Sequence, residues 1–154
     1  MTDETPAVPD GFIPLPFLFG FVGVNGPLWL KRANGKLHLG FRAEERHCNP
    51  MRIVHGGMLA TFADMQLPFG ARYQAQMPNT FLPTVSLSLD YLAPAKLGAW
   101  VQGETEVLRK TKSLVFAECR VSADGELAVR ANGLFKIGPE VAFGGEMEAL
   151  LRGD

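Results

Sequence analysis

His55-Gly56-Gly57-Met58-Leu59-Ala60-Thr61-Phe62-Ala63-Asp64-Met65-Gln66-Leu67-Pro68-Phe69 decides how this 154-residue chain is read. Met58, Leu59, Phe62, Ala63, Met65, Leu67 and Phe69 point in nearly every direction around a helix, so residues 56–73 are expected to form a buried helix rather than a surface one. Burying the carboxylate of Asp64 there costs on the order of several kcal/mol unless the group is paired or used. The two glycines that open the helix leave bare backbone amides, a ready site for an anion or a polarised carbonyl. An acid and an oxyanion-type donor on one segment point to acyl transfer or hydrolysis.

Working outward, residues 28–31 and 36–41 read as short strands, with Asn34-Gly35 as the hairpin turn between them. Residues 43–54 are polar, contain Pro50 and read as a loop. Beyond Pro78-Asn79 the period changes to two: Val85, Leu87, Leu89 and Tyr91 face one way, Ser86, Ser88 and Asp90 the other. Strands follow over 100–108, 113–121 and 127–137, turned by Lys110-Thr111-Lys112 and by Ala123-Asp124-Gly125. A short helix is expected over 146–151. Two short strands, one helix and four antiparallel strands make an α+β single layer, because a helix apolar all round needs a curved sheet folded over it. One domain is expected over 26–138. Residues 1–25 are an extension covering the core or a subunit interface, with 1–11 a loose tail, and residues 139–154 are a C-terminal tail.

The net charge of −1 and the lack of a basic run give no case for nucleic acid as a partner. The apolar run 12–24 is broken by Pro14, Pro16, Gly20 and Gly23 and is too short to span a bilayer. Asp3 and Glu4 precede it where a signal peptide carries positive charge. Cys48 and Cys119 form neither a disulfide framework nor a zinc pattern, and read as reduced thiols of a cytoplasmic protein. His38, His47 and His55 lack metal spacing, and no phosphate-binding glycine loop is present, so neither a metal nor a cofactor is expected. Ser86 and Ser88 lie on a strand without a nucleophile elbow.

Asn49-Pro50-Met51-Arg52-Ile53-Val54-His55-Gly56-Gly57, then Asp64, then Tyr91-Leu92-Ala93-Pro94-Ala95-Lys96 resembles the hotdog-fold acyl-CoA thioesterases, of the phenylacetate-pathway and thioesterase superfamily member 2 type. The likeness covers roughly residues 26–138. It implies a curved antiparallel sheet around one long central helix, and a homodimer or homotetramer with active sites at the dimer interface. It further implies that Asp64 is the nucleophile or general base, that the Gly56 amide and Asn49 hold the thioester carbonyl, and that Thr84 positions the acid or the water. One position departs from the pattern: three residues before the histidine the family commonly has glycine, and Arg52 stands here.

His55 is read as a helix-entrance residue beside the substrate rather than as a base, because Asp64 already supplies one. Gly57 joins it as a substrate contact. Arg109, Lys110 and Lys112 cluster at a hairpin turn, where solvated charges are the default, and are candidates to hold coenzyme A phosphates as point charges.

Geometry supports a dimer independently. Asp64 lies eight residues beyond Gly56, which is ~12 Å along a helix axis. One chain cannot easily bring both to the same carbonyl, whereas two antiparallel helices about a two-fold axis can. The expected activity is therefore hydrolysis of an acyl-CoA thioester to free acid and coenzyme A, which enters only as part of the substrate. The alternative is a non-catalytic hotdog module that binds acyl-CoA or a similar apolar ligand.

Overall fold

Asn34 and Gly35 adopt φ of 55° and 74°, the left-handed pair that a tight two-residue hairpin needs. They join two antiparallel strands whose last register pair is Ala33↔Lys36. The computed structural model describes residues 6–16 and 19–153. In chain order it contains β1 (Ile13–Pro14), α1 (Gly20–Asn25), β2 (Trp29–Ala33), β3 (Lys36–Arg42), a 3-10 turn (Glu45–His47), α2 (Gly56–Gln74), β4 (Thr84–Tyr91), β5 (Trp100–Lys110), β6 (Leu114–Ala123), β7 (Glu126–Lys136) and α3 (Gly145–Arg152). Residues 1–5, 17 and 18 of the expected tail and extension lie outside the described residues.

The strands form one antiparallel sheet in the order β1-β2-β3-β5-β6-β7-β4. The short β1, within the expected extension, pairs Ile13 with Leu30 at the edge, where Pro14 is tolerated. α2 packs on β3, β5, β6 and β7, and Phe41, Phe62, Leu67, Val101 and Phe135 at this seam are fully buried. The expected curved sheet around a central helix is what these contacts build.

One polar side chain fixes how α2 seats. Gln66, fully buried, accepts from the Leu39 amide at 2.8 Å and donates to the Leu37 carbonyl at 3.0 Å and to Thr105 Oγ1 at 2.9 Å. Thr105 in turn donates to the Gln66 carbonyl. Every member of the network is satisfied, so it specifies one register of helix on sheet. A Cβ at Gly103 would stand 2.7 Å from Gln66 Cγ, so the glycine makes room for the amide.

Two expectations are corrected. α2 is not buried on all sides: Ala60, Thr61, Asp64, Met65 and Pro68 are only half-buried in the single chain. Nor does β4 alternate from end to end. Leu87 and Leu89 turn inward, but Val85 and Tyr91 are exposed, and the pairing with β7 slips between Thr84 and Ser86. The extra residue is a β-bulge at Val85. No described helix is long and apolar enough to cross a membrane.

Candidate active site

The start of α2 is built by its neighbours. His55 is the N-cap, and its Nδ1 accepts the Gly57 amide at 2.8 Å, so that donor is used within the helix cap. The Gly56 amide, by contrast, has no acceptor among the described residues. Tyr91 donates its hydroxyl to the Gly56 carbonyl at 2.7 Å and braces the helix entrance against β4. The side chain of Asn49 turns on its own loop, where Oδ1 accepts from the Met51 amide at 3.0 Å. That bond leaves its amide nitrogen as a donor. Asn49, Gly56 and Tyr91 line one cleft of ≈ 430 Å³.

Arg52 closes the same loop. Its amide donates to the Asn49 carbonyl, and its φ of 61° is the left-handed conformation that glycine adopts without strain. The departure from the family pattern noted above thus falls on a backbone that favours glycine.

Asp64 stands eight residues further along α2 and accepts a 2.6 Å hydrogen bond from Thr84 Oγ1. The bulge at Val85 makes this contact possible. In a regular strand Thr84 would share the outer face with Ser86 and Ser88; the additional residue turns it to the helix side, with Leu87 and Leu89. Asp64 and Thr84 open into a second, mostly apolar cavity of ≈ 370 Å³, with Met65, Phe69, Arg72 and Phe143 on its walls.

Of the residues singled out by sequence, Asp64 and Thr84 come together, and so do Asn49 and Gly56 beside the His55 cap. The two groups line separate cavities within one chain. Arg109, Lys110 and Lys112 join neither. They are exposed where β5 turns into β6, and nearby Val107 bonds the side chain of Gln74 at the far end of α2 from Gly56. The strand β5 extends through Lys110, so the turn itself is shifted to Thr111 and the residues after it.

Sequence reasoning missed two groups. Arg72 lies on the wall of the Asp64 cavity, and its position on an apolar helix face carries no signal beyond a cation eight residues past the acid. His47 is buried, accepts the Glu44 amide on Nδ1 at 3.0 Å and meets the Asn25 carbonyl through Nε2 at 2.8 Å. It thereby ties α1 to the loop that leads into α2. Burial pulls its pKa below the usual histidine value, with the Asn25 carbonyl opposing that pull.

Comparison with known proteins places the chain in a family. The model of the thioesterase superfamily matches residues 51–129. A Pseudomonas aeruginosa protein provisionally named an esterase is 31% identical over 131 residues, covering 84% of this chain and 97% of its own. Acyl-coenzyme A thioesterase 13 of Homo sapiens is 29% identical over 118 residues, covering 75% of this chain and 82% of its own. Among solved structures, zebra fish thioesterase superfamily member 2 superposes with a TM-score of 0.69 at 26% identity, covering 77% of this chain and 87% of that one.

Proposed function

The chain belongs to the thioesterase superfamily, and from that membership we propose that it hydrolyses acyl-CoA thioesters to free acid and coenzyme A at sites shared between two copies. The Asp64–Thr84 hydrogen bond carries this reading: it holds a half-buried carboxylate in an apolar cavity with its second oxygen free to act. The unused Gly56 amide and the Asn49 side chain supply the other half of the chemistry, two donors converging on one cleft.

In this mechanism the thioester carbonyl oxygen lies against the Gly56 N–H and the Asn49 amide nitrogen, which stabilise the charge that develops as the carbonyl becomes tetrahedral. The partner's Asp64 takes a proton from water while the water oxygen bonds to the carbonyl carbon. Collapse of the intermediate breaks the carbon–sulfur bond, and the departing thiolate takes up that proton. In the nucleophilic version Asp64 itself bonds to the carbon and the carbon–sulfur bond breaks, releasing the thiolate; water then opens the mixed anhydride, which frees the Asp64 carboxylate and the acid and passes a proton to the thiolate. His55 and Gly57, at the helix cap beside the cleft, are proposed as substrate contacts, and Arg109, Lys110 and Lys112 are proposed to meet coenzyme A phosphates only across the dimer. No cofactor takes part.

The free edge of β4 supports the two-fold partner. It ends the sheet, presents the exposed Val85, Ser86 and Ser88, and runs on into the exposed apolar Leu92. An uncovered edge of that length invites antiparallel pairing with its own copy. A homotetramer would stack two such dimers. We assign the protein to the cytoplasm on its two unpaired cysteines, of which Cys119 is buried with its thiol pushed up to about 12.

Thiol release from a panel of acyl-CoAs, with wild type and Asp64→Asn, tests the reading. Turnover that falls by ~1000-fold in the variant is expected for loss of an essential group. Tight binding without turnover of any thioester would favour the non-catalytic binding module instead.

A further inference from the structure

Arg72 is the one buried cation among the described residues, at 5% exposure. No carboxylate pairs with it: the ion pairs among those residues involve Lys36, Arg46, Arg130 and Arg152. Its Nε donates to the Pro68 carbonyl at 3.2 Å, and its guanidinium carbon lies 4.6 Å from the Phe69 ring centre and 4.7 Å from that of Phe143. The rings and the carbonyl hold the plane of the guanidinium in place. The two terminal nitrogens have no hydrogen-bond partner among the described residues, yet neither is sealed off from solvent. Arg72 lines the ≈ 370 Å³ cavity that Asp64 and Thr84 also line. Burial alone draws the pKa of Arg72 down to about 10, with no acid offsetting it. The side chain therefore stays charged at neutral pH, desolvated and without a counter-charge, which is a costly state for a group with no use.

Position along α2 says what would use it. The carbonyl of Pro68, which Arg72 reaches back to, belongs to the turn just beyond Asp64. The guanidinium therefore sits about one helical turn, ~6 Å, past the acid along the helix axis. Along α2 from acid to arginine the cavity is lined by the apolar Met65, Pro68 and Phe69. A thioester whose carbonyl meets Asp64 would run its acyl chain along that wall. We propose that Arg72 receives a carboxylate at the far end of this chain, so that the preferred substrates are short ω-carboxyacyl thioesters. The inference rests on the thioesterase reading. A planar guanidinium with two free nitrogens is matched to a carboxylate. An apolar wall suits an acyl chain rather than a hydrated diphosphate.

Two thioethers of coenzyme A that cannot be hydrolysed, S-hexyl-CoA and its ω-carboxyl counterpart, separate this proposal from the catalytic one. Calorimetric titration of wild type is expected to show the carboxylated thioether bound roughly 10- to 100-fold more tightly, the range for a hydrogen-bonded charged partner. The ratio of kcat/KM for adipyl-CoA over hexanoyl-CoA should favour adipyl by a similar factor. Both ratios should fall to about one in Arg72→Met and be partly restored in Arg72→Lys, which keeps the charge and loses the fork. Equal binding of the two thioethers by wild type overturns the proposal, whether or not the variants fold. A variant that weakens both thioethers and coenzyme A by one common factor also overturns it, because Arg72 then serves the coenzyme. Preference for the carboxylated thioether with no hydrolysis of either acyl-CoA upholds the carboxylate site and removes only the thioesterase reading.

Discussion

Thr84 donates its hydroxyl to Asp64 over 2.6 Å because a bulge at Val85 turns the threonine out of the strand's alternation and toward the helix. The acid of α2 is thus held by the free edge strand of the sheet, the same strand proposed to pair with a second copy. If Thr84 orients the carboxylate, Thr84→Val should lower kcat by roughly 10- to 100-fold, the value of a hydrogen bond to a charged group. Thr84→Ser should retain most of the rate. Steady-state kinetics on both variants checks this, and an unaffected Thr84→Val would reduce the contact to packing.

Tyr91 braces the opposite end of the helix through the Gly56 carbonyl. Tyr91→Phe keeps the ring and removes only that bond. About a tenfold loss in kcat/KM is expected from a helix start no longer held against β4, with stability lowered by ~1 kcal/mol. Denaturant unfolding beside the kinetics separates the two effects, since a stability loss alone leaves kcat/KM of the folded fraction intact.

The left-handed backbone at Arg52 has φ of 61°. Arg52→Gly should stabilise the protein by about 1 kcal/mol, because an L side chain in that conformation is strained by ~1–2 kcal/mol and glycine gives back part of the gain in unfolded-state entropy. A shift of the urea midpoint at constant slope measures it. A destabilised Arg52→Gly would mean that the arginine side chain makes a compensating contact.

His47 makes the fold sensitive to acid. With Nδ1 accepting from the Glu44 amide, its proton sits on Nε2 toward the Asn25 carbonyl, and a second proton would set two N–H groups against each other. Its folded pKa is lowered, so the unfolded chain binds protons first. Stability from this residue is complete above the unfolded value of about 6.5 and falls as pH drops toward the folded value. Unfolding free energies at pH 7.5 and pH 5.5 should therefore differ less in His47→Gln than in wild type.

Much of this was legible in the sequence, and the reasons differ by residue. Asn34-Gly35 announces its hairpin because so few residue pairs accept two positive φ values in succession. The apolar density of α2 and the lone acid within it mark the helix and a candidate site. The bulge at Val85 was not legible, because a bulge is set by pairing with β7, some 50 residues away, and leaves an alternating pattern behind. Gln66 reads as one polar residue on an apolar helix until Leu37, Leu39 and Thr105 close around it. Arg72 looks like a helix-end cation until Phe143 from the C-terminal tail folds over it. The row through Asp64 is half-open in the chain, where the sequence alone suggested burial on every side.

Asn49 and Asp64 of one active site are proposed to come from different copies, and subunit complementation decides whether they do. Asn49→Ala and Asp64→Asn homodimers are each expected to be nearly inactive. Unfolded, mixed in equal amounts and refolded together, they form hybrid dimers as half of the population, each with one intact site. About a quarter of wild-type thioesterase activity is then expected to return. Activity that stays at the level of the separate variants, although hybrids are demonstrably formed, would place both residues in a site within one chain and contradict the proposal.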